Sequence, residues 1–253
     1  MKRATFALLI VAVTAGEIPA SWISAIPDHA DTVTGIDVDR LRSTGSHGAS
    51  LLDIPFDEHR AIRYVMRIGP ELYLLKVAGD PFTLAPRGRR FIEEGREVVD
   101  AGDGKFLIRA QKDTAIFGGL HEILFTAERM ACCPKQNLAI ASLVAAFDAW
   151  IYQPEPSEFS GLDILFKPPA LHNLRAGVRF GNTLQARVEV ETESAITATA
   201  LATAAKLAPT MIRNAGRIEA DFAASIEKFS ATSYGNTVTA EMAVAPSALR
   251  LLE

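Results

Sequence analysis

The most reactive side chains in this sequence are two adjacent cysteines, Cys132 and Cys133, which are its only cysteines. In an oxidising compartment, adjacent thiols can close a strained ring disulfide, pair with another chain, or stay buried and reduced. They do not form a zinc site by themselves, because structural zinc needs four ligands and no second cluster exists. A redox or soft-metal role requires exposure near a helix N-terminus, where a lowered thiol pKa favours the thiolate. We therefore keep a disulfide and a thiol or redox function as alternatives to a purely structural role.

The five histidines do not fall into a catalytic or metal-binding motif. His121-Glu122 begins like the helix of a zinc protease, but Phe125 stands where the second histidine has to return one turn later. The sequence therefore predicts no catalytic residue, no metal site and no cofactor. A hydrolase-type enzyme whose groups meet only in three dimensions stays as an alternative. Its base would come from these histidines: His47, His59, His121 and His172.

The N-terminus has the layout of a secretory signal peptide. Lys2 and Arg3 precede an apolar run over residues 4–13, and small residues follow up to Ala15. This run is shorter than the roughly 20 apolar residues that a membrane-spanning helix needs. We expect residues 1–15 to be a signal peptide cleaved after Ala15, with no membrane span remaining. The mature protein would then be exported to a periplasm or the extracellular space.

Composition excludes several classes of partner. Loss of the leader removes two positive charges and no negative ones, so the formal balance of 26 − 30 = −4 becomes 24 − 30 = −6. Because no basic run remains to follow a phosphate backbone, nucleic acid is not an expected partner. An anionic membrane surface is not expected to attract the chain either. Hydrophobic residues make up 49% of the chain, which is enough to bury a sizeable core.

One turn motif occurs twice, as Gly181-Asn182-Thr183 and as Gly235-Asn236-Thr237, each between an aromatic and an aliphatic residue. Side chains alternate between the two faces of a strand, and cross-strand partners share a face. A three-residue loop therefore keeps the apolar residues together, by pairing Phe180 with Leu184 and, in the second copy, the residues at 234 and 238. Both an internal duplication and unrelated hairpins with the same turn chemistry explain this match.

The pattern of apolar residues and turn signals predicts alternating strands and helices. Strands are predicted at residues 31–38, 62–68, 72–78, 97–100, 105–110, 114–117, 162–166 and 174–180 and around both repeated turns. Helices are predicted within 39–52 and 82–94 and at 120–131, 134–150, 194–208, 218–229 and 246–252.

This order predicts an α+β fold with antiparallel sheet(s) and helices packed on one face, as two ferredoxin-like or related halves. We place the halves at residues 16–132 and 133–253, meeting along a shared sheet or a packed interface. The strand at 237–244 is expected to be an open edge able to recruit another chain.

Three features together resemble a known group of sequences. They are the leader, the segment from Ile26 to Val38 that reads I-P-D-H-A-D-T-V-T-G-I-D-V, and the late Gly-Asn-Thr hairpins accompanied by an alanine-rich helix. They are similar to a family of uncharacterised exported bacterial proteins with hairpin–helix repeats. The resemblance implies export and the fold, and it implies no activity or catalytic residue.

These observations favour an exported, non-catalytic module that binds a partner protein, an envelope component or a small apolar ligand. The expected site is a sheet face or the groove between the halves. An exposed aromatic side chain at Trp22, Trp150 or Tyr152 would mark that site.

Overall fold

The computed structural model describes residues 18–44, 59–132, 137–156, 170–214 and 228–244. These residues form one antiparallel sheet of 12 strands in the order β11-β12-β10-β9-β8-β1-β2-β3-β7-β6-β5-β4. The strands are β1 (Val33–Asp37), β2 (Ile62–Ile68), β3 (Leu72–Val77), β4 (Arg89–Glu93), β5 (Arg96–Gly102), β6 (Lys105–Gln111), β7 (Thr114–Gly118), β8 (Ala149–Gln153), β9 (Leu171–Arg179), β10 (Leu184–Thr192), β11 (Ser230–Tyr234) and β12 (Thr237–Val244). The helices are α1 (Ala20–Ala25), α2 (Val38–Ser43), α3 (Leu120–Cys132), α4 (Leu138–Ala146) and α5 (Ala195–Asn214), with 3-10 turns at His59–Ala61 and Pro81–Leu84.

The predicted α+β class with an antiparallel sheet is confirmed. Strand order departs from the ferredoxin-like pattern, because short loops pair successive strands and β1 lies directly beside β2. On its other side β1 pairs with β8, which continues into β9. Strands from both predicted halves therefore belong to one continuous sheet, whereas their division at residue 132 stays a prediction.

Helices cover both faces of the sheet, which corrects the expectation of one covered face. Strand β3 shows why, since Leu72 and Leu74 enter one apolar core while Tyr73 and Leu75 enter a second core on the other side. Helices α1, α3 and α4 cover the first core. Short helix α2 and the 3-10 turn Pro81–Leu84 cover the second. A strand buried on both faces reads as a continuous apolar run, without the alternation of a half-exposed strand.

Helix α5 lies on the same face as α2. Leu184 and Val190 are an even number of residues apart in β10 and so share a face. Leu184 packs with Leu41 of α2, while Val190 packs with Ala198 of α5. The short alanine side chains of α5 let the helix contact β10, β11 and β12.

The predicted helix over residues 134–150 is wrong in its extent. Helix α4 begins at Leu138, where the Asn137 carboxamide oxygen accepts a 3.2 Å hydrogen bond from the Ile140 amide. It ends at Ala146, and Trp150 lies in β8 instead. A continuous apolar run does not distinguish a buried helix from a buried strand by its period. The helix predicted within 82–94 is also wrong, since this segment contains the 3-10 turn Pro81–Leu84 and strand β4.

The two Gly-Asn-Thr turns differ from one another. In the first, Ala186 pairs with Val178, which confirms the register of a three-residue loop. In the second, Tyr234 pairs with Thr237, so the predicted three-residue loop is wrong and only Gly235-Asn236 connects the strands. This register turns the small Ala231 inward with Val238 and leaves Tyr234 93% exposed.

The expected open edge at residues 237–244 is also wrong, because β12 pairs with β10 on one side and with β11 on the other. Several further predictions lie outside the described residues: the signal peptide at 1–15, the strand at 162–166, most of the helix at 218–229, and the helix at 246–252. Within the described ranges, no helix combines the length and apolar character needed to cross a membrane.

Candidate binding surfaces

The centre of the sheet is held together by aromatic rings that lie on glycine. Trp150 of β8 extends across β1 at Gly35, where an added Cβ would lie only 2.4 Å from Trp150 Cε2. Its indole Nε1 donates a 2.8 Å hydrogen bond to the Tyr64 hydroxyl of β2. Phe147 lies in the same way on Gly177 of β9, where an added Cβ would lie 2.2 Å from Phe147 Cγ. Glycine at these two positions allows the Trp150 and Phe147 rings to lie directly against the backbones of β1 and β9.

The opposite face of these strands carries a groove of about 430 Å³. Its apolar side chains come from β1, β2, β8 and β9, and neither α2 nor α5 contributes to its lining. They are Ile36, Val65, Ala149, Ile151, Ala176 and Val178. Most of these side chains are half-buried, so part of their apolar surface remains accessible to a ligand.

Two polar side chains, Thr34 and Arg67, stand among the apolar ones. Arg67 is held in place by donating from Nε at 3.0 Å and Nη2 at 2.6 Å to the Pro70 carbonyl oxygen, and its guanidinium lies 5.4 Å from the Tyr73 ring centre. In the part of the chain that the structure describes, no carboxylate forms an ion pair with Arg67. The groove is therefore apolar along its length and has a single positioned cation at its rim.

A second candidate surface is the outer face of α5. Ile196 is 84% exposed and Leu207 60% exposed. The rest of this face is made of small residues: Ala195, Thr199, Ala200, Thr203 and Ala204. The face is flat and largely uncharged, and exposed apolar patches of this kind mark interaction sites.

The aromatic residues proposed as site markers are not exposed. Trp22 is fully buried and Trp150 is 4% exposed, both in the core under α1, α3 and α4. Tyr152 is half-buried, and its hydroxyl donates a 3.2 Å hydrogen bond to Asn173 Oδ1. The sequence pattern did not identify the groove, because its lining residues look like ordinary strand residues and only strand order brings them together.

Cys132 is exposed and is the last residue of α3. The C-terminal end of a helix carries partial negative charge, which disfavours a thiolate. Helix α4 begins at Leu138, and Pro134, where we expected a helix to start, lies outside the described residues. Cys133 lies outside the described residues.

The histidines that the structure describes are dispersed. His29, His121 and His172 are all exposed, and none of them forms a hydrogen bond or ion pair within the described ranges. His121 lies against Phe125, with 6.5 Å between the ring centres. No three His, Cys, Asp or Glu residues among those described are placed to hold a metal ion. The side chains of His47 and His59 lie outside the described residues.

Two buried groups have shifted pKa values that follow from their structural roles. Burial raises the pKa of Asp37, against the effect of the 2.9 Å hydrogen bond that its carboxylate accepts from the Arg40 amide at the start of α2. The neighbouring charge of Asp148 raises it further. Burial also raises the pKa of Tyr64 well above its usual range, although the hydrogen bond from Trp150 acts in the opposite direction.

The fold and these surfaces define an α+β protein built on one long antiparallel sheet with a groove over its central strands. No protein-family model matches the chain, and no curated protein matches it. Two solved structures are similar in fold. "Structure of crystal form III of TP0453" has a TM-score of 0.56 at 10% identity, covering 90% of this chain and 95% of that one. "Structure of crystal form I of TP0453" has a TM-score of 0.56 at 8% identity, covering 94% and 97%. At this level of identity the likeness concerns the fold alone.

Proposed function

We propose that the protein is an exported, non-catalytic module that binds a small apolar ligand in the groove over β2, β1, β8 and β9. The observation that carries the proposal is the groove itself, whose volume of about 430 Å³ is lined mainly by aliphatic side chains. Pockets for small molecules commonly span about 300–1,000 Å³ and combine apolar walls with a few polar groups. The groove also lies where β8 joins β1, between the two predicted halves.

Burial of apolar surface drives this mode of binding. Each Å² of apolar surface removed from water contributes about 25 cal/mol, on the ligand and on the groove alike. Rings on the opposite face pack on Gly35 and Gly177 and hold the central strands in place. A groove formed by a supported sheet loses little conformational entropy when a ligand enters.

The test uses one substitution at two sites. Ala176 lines the groove, whereas Ala243 of β12 is also half-buried but lies on the other face of the sheet. We expect the neutral probe N-phenyl-1-naphthylamine to bind with increased fluorescence. Ala176→Leu should weaken this binding about tenfold by filling the groove, whereas Ala243→Leu should leave it unchanged. Equal binding by both variants, or no binding to the unmodified protein, would contradict the proposal.

Export rests on the leader and is tested separately. We expect N-terminal sequencing of the mature protein to begin at Gly16, and cell fractionation to recover it outside the cytoplasm. A chain that retains Met1 and stays in the cytoplasm would reject the export part and leave the ligand test unaffected.

The outer face of α5 supports a second candidate, the binding of an envelope partner protein. Exposed Ile196 and Leu207 are about three helical turns apart and both appear on this face. A photo-crosslinking side chain at Ile196 should give a discrete adduct in intact cells, and the same group at Tyr234, on the opposite face, should not. Identical adducts at the two positions would show that exposure alone explains the labelling.

A further inference from the structure

Strand β4 forms one end of the described sheet and pairs there only with β5. A strand in this position leaves alternate backbone N–H and C=O groups without partners in the sheet, so it can accept a further strand. This edge is separate from the proposed ligand groove, which lies over β2, β1, β8 and β9.

The side chains of β4 divide between the two faces of the sheet. Arg89, Phe91 and Glu93 share one face, and Phe91 packs edge-on against Phe106 with 6.1 Å between the ring centres. Arg90 and Ile92 share the other face, where Ile92 is 67% exposed. A large exposed aliphatic side chain on an edge strand would gain burial from a strand added beside it.

The charges on this strand are opposite at its two ends. Arg89 and Glu93 are exposed, and neither side chain forms an ion pair or hydrogen bond within the described ranges. Arg90, in contrast, pairs with Glu97 at 3.2 Å and lies over the Phe82 ring at 5.1 Å. Arg89 and Glu93 are thus the two charged groups of β4 that remain available to another molecule.

We propose that β4 pairs antiparallel with β4 of a second copy of this chain, around a two-fold axis at Phe91. Residues 89 and 93 are equally distant from 91, so Arg89 of each copy lies opposite Glu93 of the other, and two complementary contacts form. Arg90 of each copy lies opposite Ile92 of the other and covers it. A parallel pairing would instead place like charges together, which is unfavourable for directly opposed residues.

The charge pattern also distinguishes this edge from one that avoids association. Edges protected against pairing commonly carry lysine or other charges that repel an approaching copy. Here the signs reverse along the strand, so a two-fold partner is attracted. A five-residue strand buries less than the roughly 1,000 Å² of a stable interface, so the dimer is reversible and depends on concentration. Salt screens exposed charges and should weaken it.

The experiment is sedimentation velocity on the full mature chain over a concentration series at low salt. We expect the unmodified protein to pass from monomer to dimer. Arg89→Glu places four carboxylates at the interface and Glu93→Arg places four guanidinium groups there, so each should weaken association at least tenfold. The double variant Arg89→Glu/Glu93→Arg restores opposite signs and should associate within about threefold of the unmodified protein.

Mixing the two single variants gives the most specific test of the antiparallel register. Each single variant should associate only weakly with itself, but together they place glutamates opposite arginines and should form a heterodimer. Lys206→Glu and Glu193→Arg are the matched controls, because they change the net charge equally at exposed positions outside β4 and should associate like the unmodified protein. All variants should keep the circular dichroism spectrum of the unmodified protein, since the altered positions are exposed.

Three results would overturn the proposal. The first is an unmodified protein that stays monomeric throughout the series, and the second is association that the single variants leave intact. The third is a mixture of single variants that remains monomeric while the unmodified protein dimerises, which would exclude the antiparallel register.

Discussion

The Trp150 indole reaches across strand β1 and donates its N–H to the Tyr64 hydroxyl at 2.8 Å, in a buried site. These residues are 86 positions apart in the sequence and belong to strands that both flank β1. The bond therefore fixes β8 against β2 without direct pairing between them. The groove lies on the reverse face of the same strands, so this contact supports the surface to which we assign binding.

Gly35 is the residue that makes this contact possible. Gly35→Ala would place a Cβ 2.4 Å from Trp150 Cε2 and 2.6 Å from its Nε1. Because a buried indole has little room to move, we expect a loss of about 3 kcal/mol in the free energy of unfolding, the upper part of the range for overpacked cores. Urea denaturation measures this loss of unfolding free energy. The loss caused by Gly35→Ala should be smaller in a Trp150→Phe background, where the ring is smaller, and a Gly35→Ala protein of unchanged stability would contradict the observed packing.

The Tyr64 hydroxyl should affect the stability of the protein at neutral pH and, in a different way, at alkaline pH. At neutral pH, Tyr64→Phe leaves the indole N–H without a partner, and we expect a loss of about 1–3 kcal/mol. At alkaline pH, the unfolded chain releases this proton near its ordinary pKa of 10.0, whereas burial keeps the folded pKa higher. The stability that Tyr64 contributes below pH 10 is therefore lost as the pH rises toward its folded pKa. The loss is up to about 1.4 kcal/mol per pH unit.

The measurement is urea denaturation of both proteins between pH 9 and pH 11.5. The stability difference between the unmodified protein and Tyr64→Phe should narrow as the pH rises, because only the former has this phenol to ionise on unfolding. Parallel pH profiles would show that Tyr64 titrates in the folded state as it does in the unfolded one.

The two Gly-Asn-Thr turns should respond differently to the same substitution. Gly235 has φ +57°, a left-handed conformation that costs an L-residue about 1–2 kcal/mol. Gly181 is outside that region, and a Cβ there meets nothing closer than the Thr183 carbonyl oxygen at 3.5 Å. We expect Gly235→Ala to destabilise by this amount. Gly181→Ala should be neutral or stabilise by up to about 1 kcal/mol, since alanine restricts the unfolded chain. Thermal unfolding of the two variants tests this, and equal losses would mean that the turns share one conformation.

Asp37 combines a useful hydrogen bond with an unfavourable charge. Because its folded pKa is raised, its contribution to stability is present below the unfolded pKa and is lost as the pH rises through the folded pKa. Asparagine caps a helix as well as aspartate does but carries no charge. We therefore expect Asp37→Asn to raise the denaturation midpoint at pH 7, with the gain disappearing toward pH 3.

Asp37→Ala is the control for the cap itself. It removes both the charge and the acceptor for the Arg40 amide, and loss of a cap costs about 1 kcal/mol. Asp37→Ala should therefore be less stable than Asp37→Asn at every pH. An asparagine variant that is less stable than the unmodified protein at pH 7 would show that the carboxylate is stabilising as an ion.

Local patterns in the sequence were sufficient where neighbours along the chain also pair in space. The hairpin of β2 and β3, the hairpin of β5 and β6, strand β7 and helix α3 were all predicted within a few residues. The same is true of the first Gly-Asn-Thr turn, where Phe180 and Leu184 pack in one apolar cluster. In these segments the spacing of apolar residues and the identity of the turn residues all indicate the same local structure. Patterns between residues close in the sequence are therefore sufficient to predict it.

The candidate binding groove could not be predicted from local patterns, because it is formed by pairing between strands that are distant in the sequence. Trp150 was predicted to end a helix, yet it lies in β8, where bonds to β1 and β9 outweigh the helical tendency of an apolar run. Strand β11 contacts α5, and its register buries Ala231 and leaves Tyr234 exposed.

The sequence by itself determined the α+β class and most of the hairpins, since these depend on residues close together in the chain. Only the tertiary structure decided that both faces of the sheet are covered, which strands lie at its edges, and where the groove lies. These features arise from strand order and register, and both depend on how much apolar surface distant segments bury together.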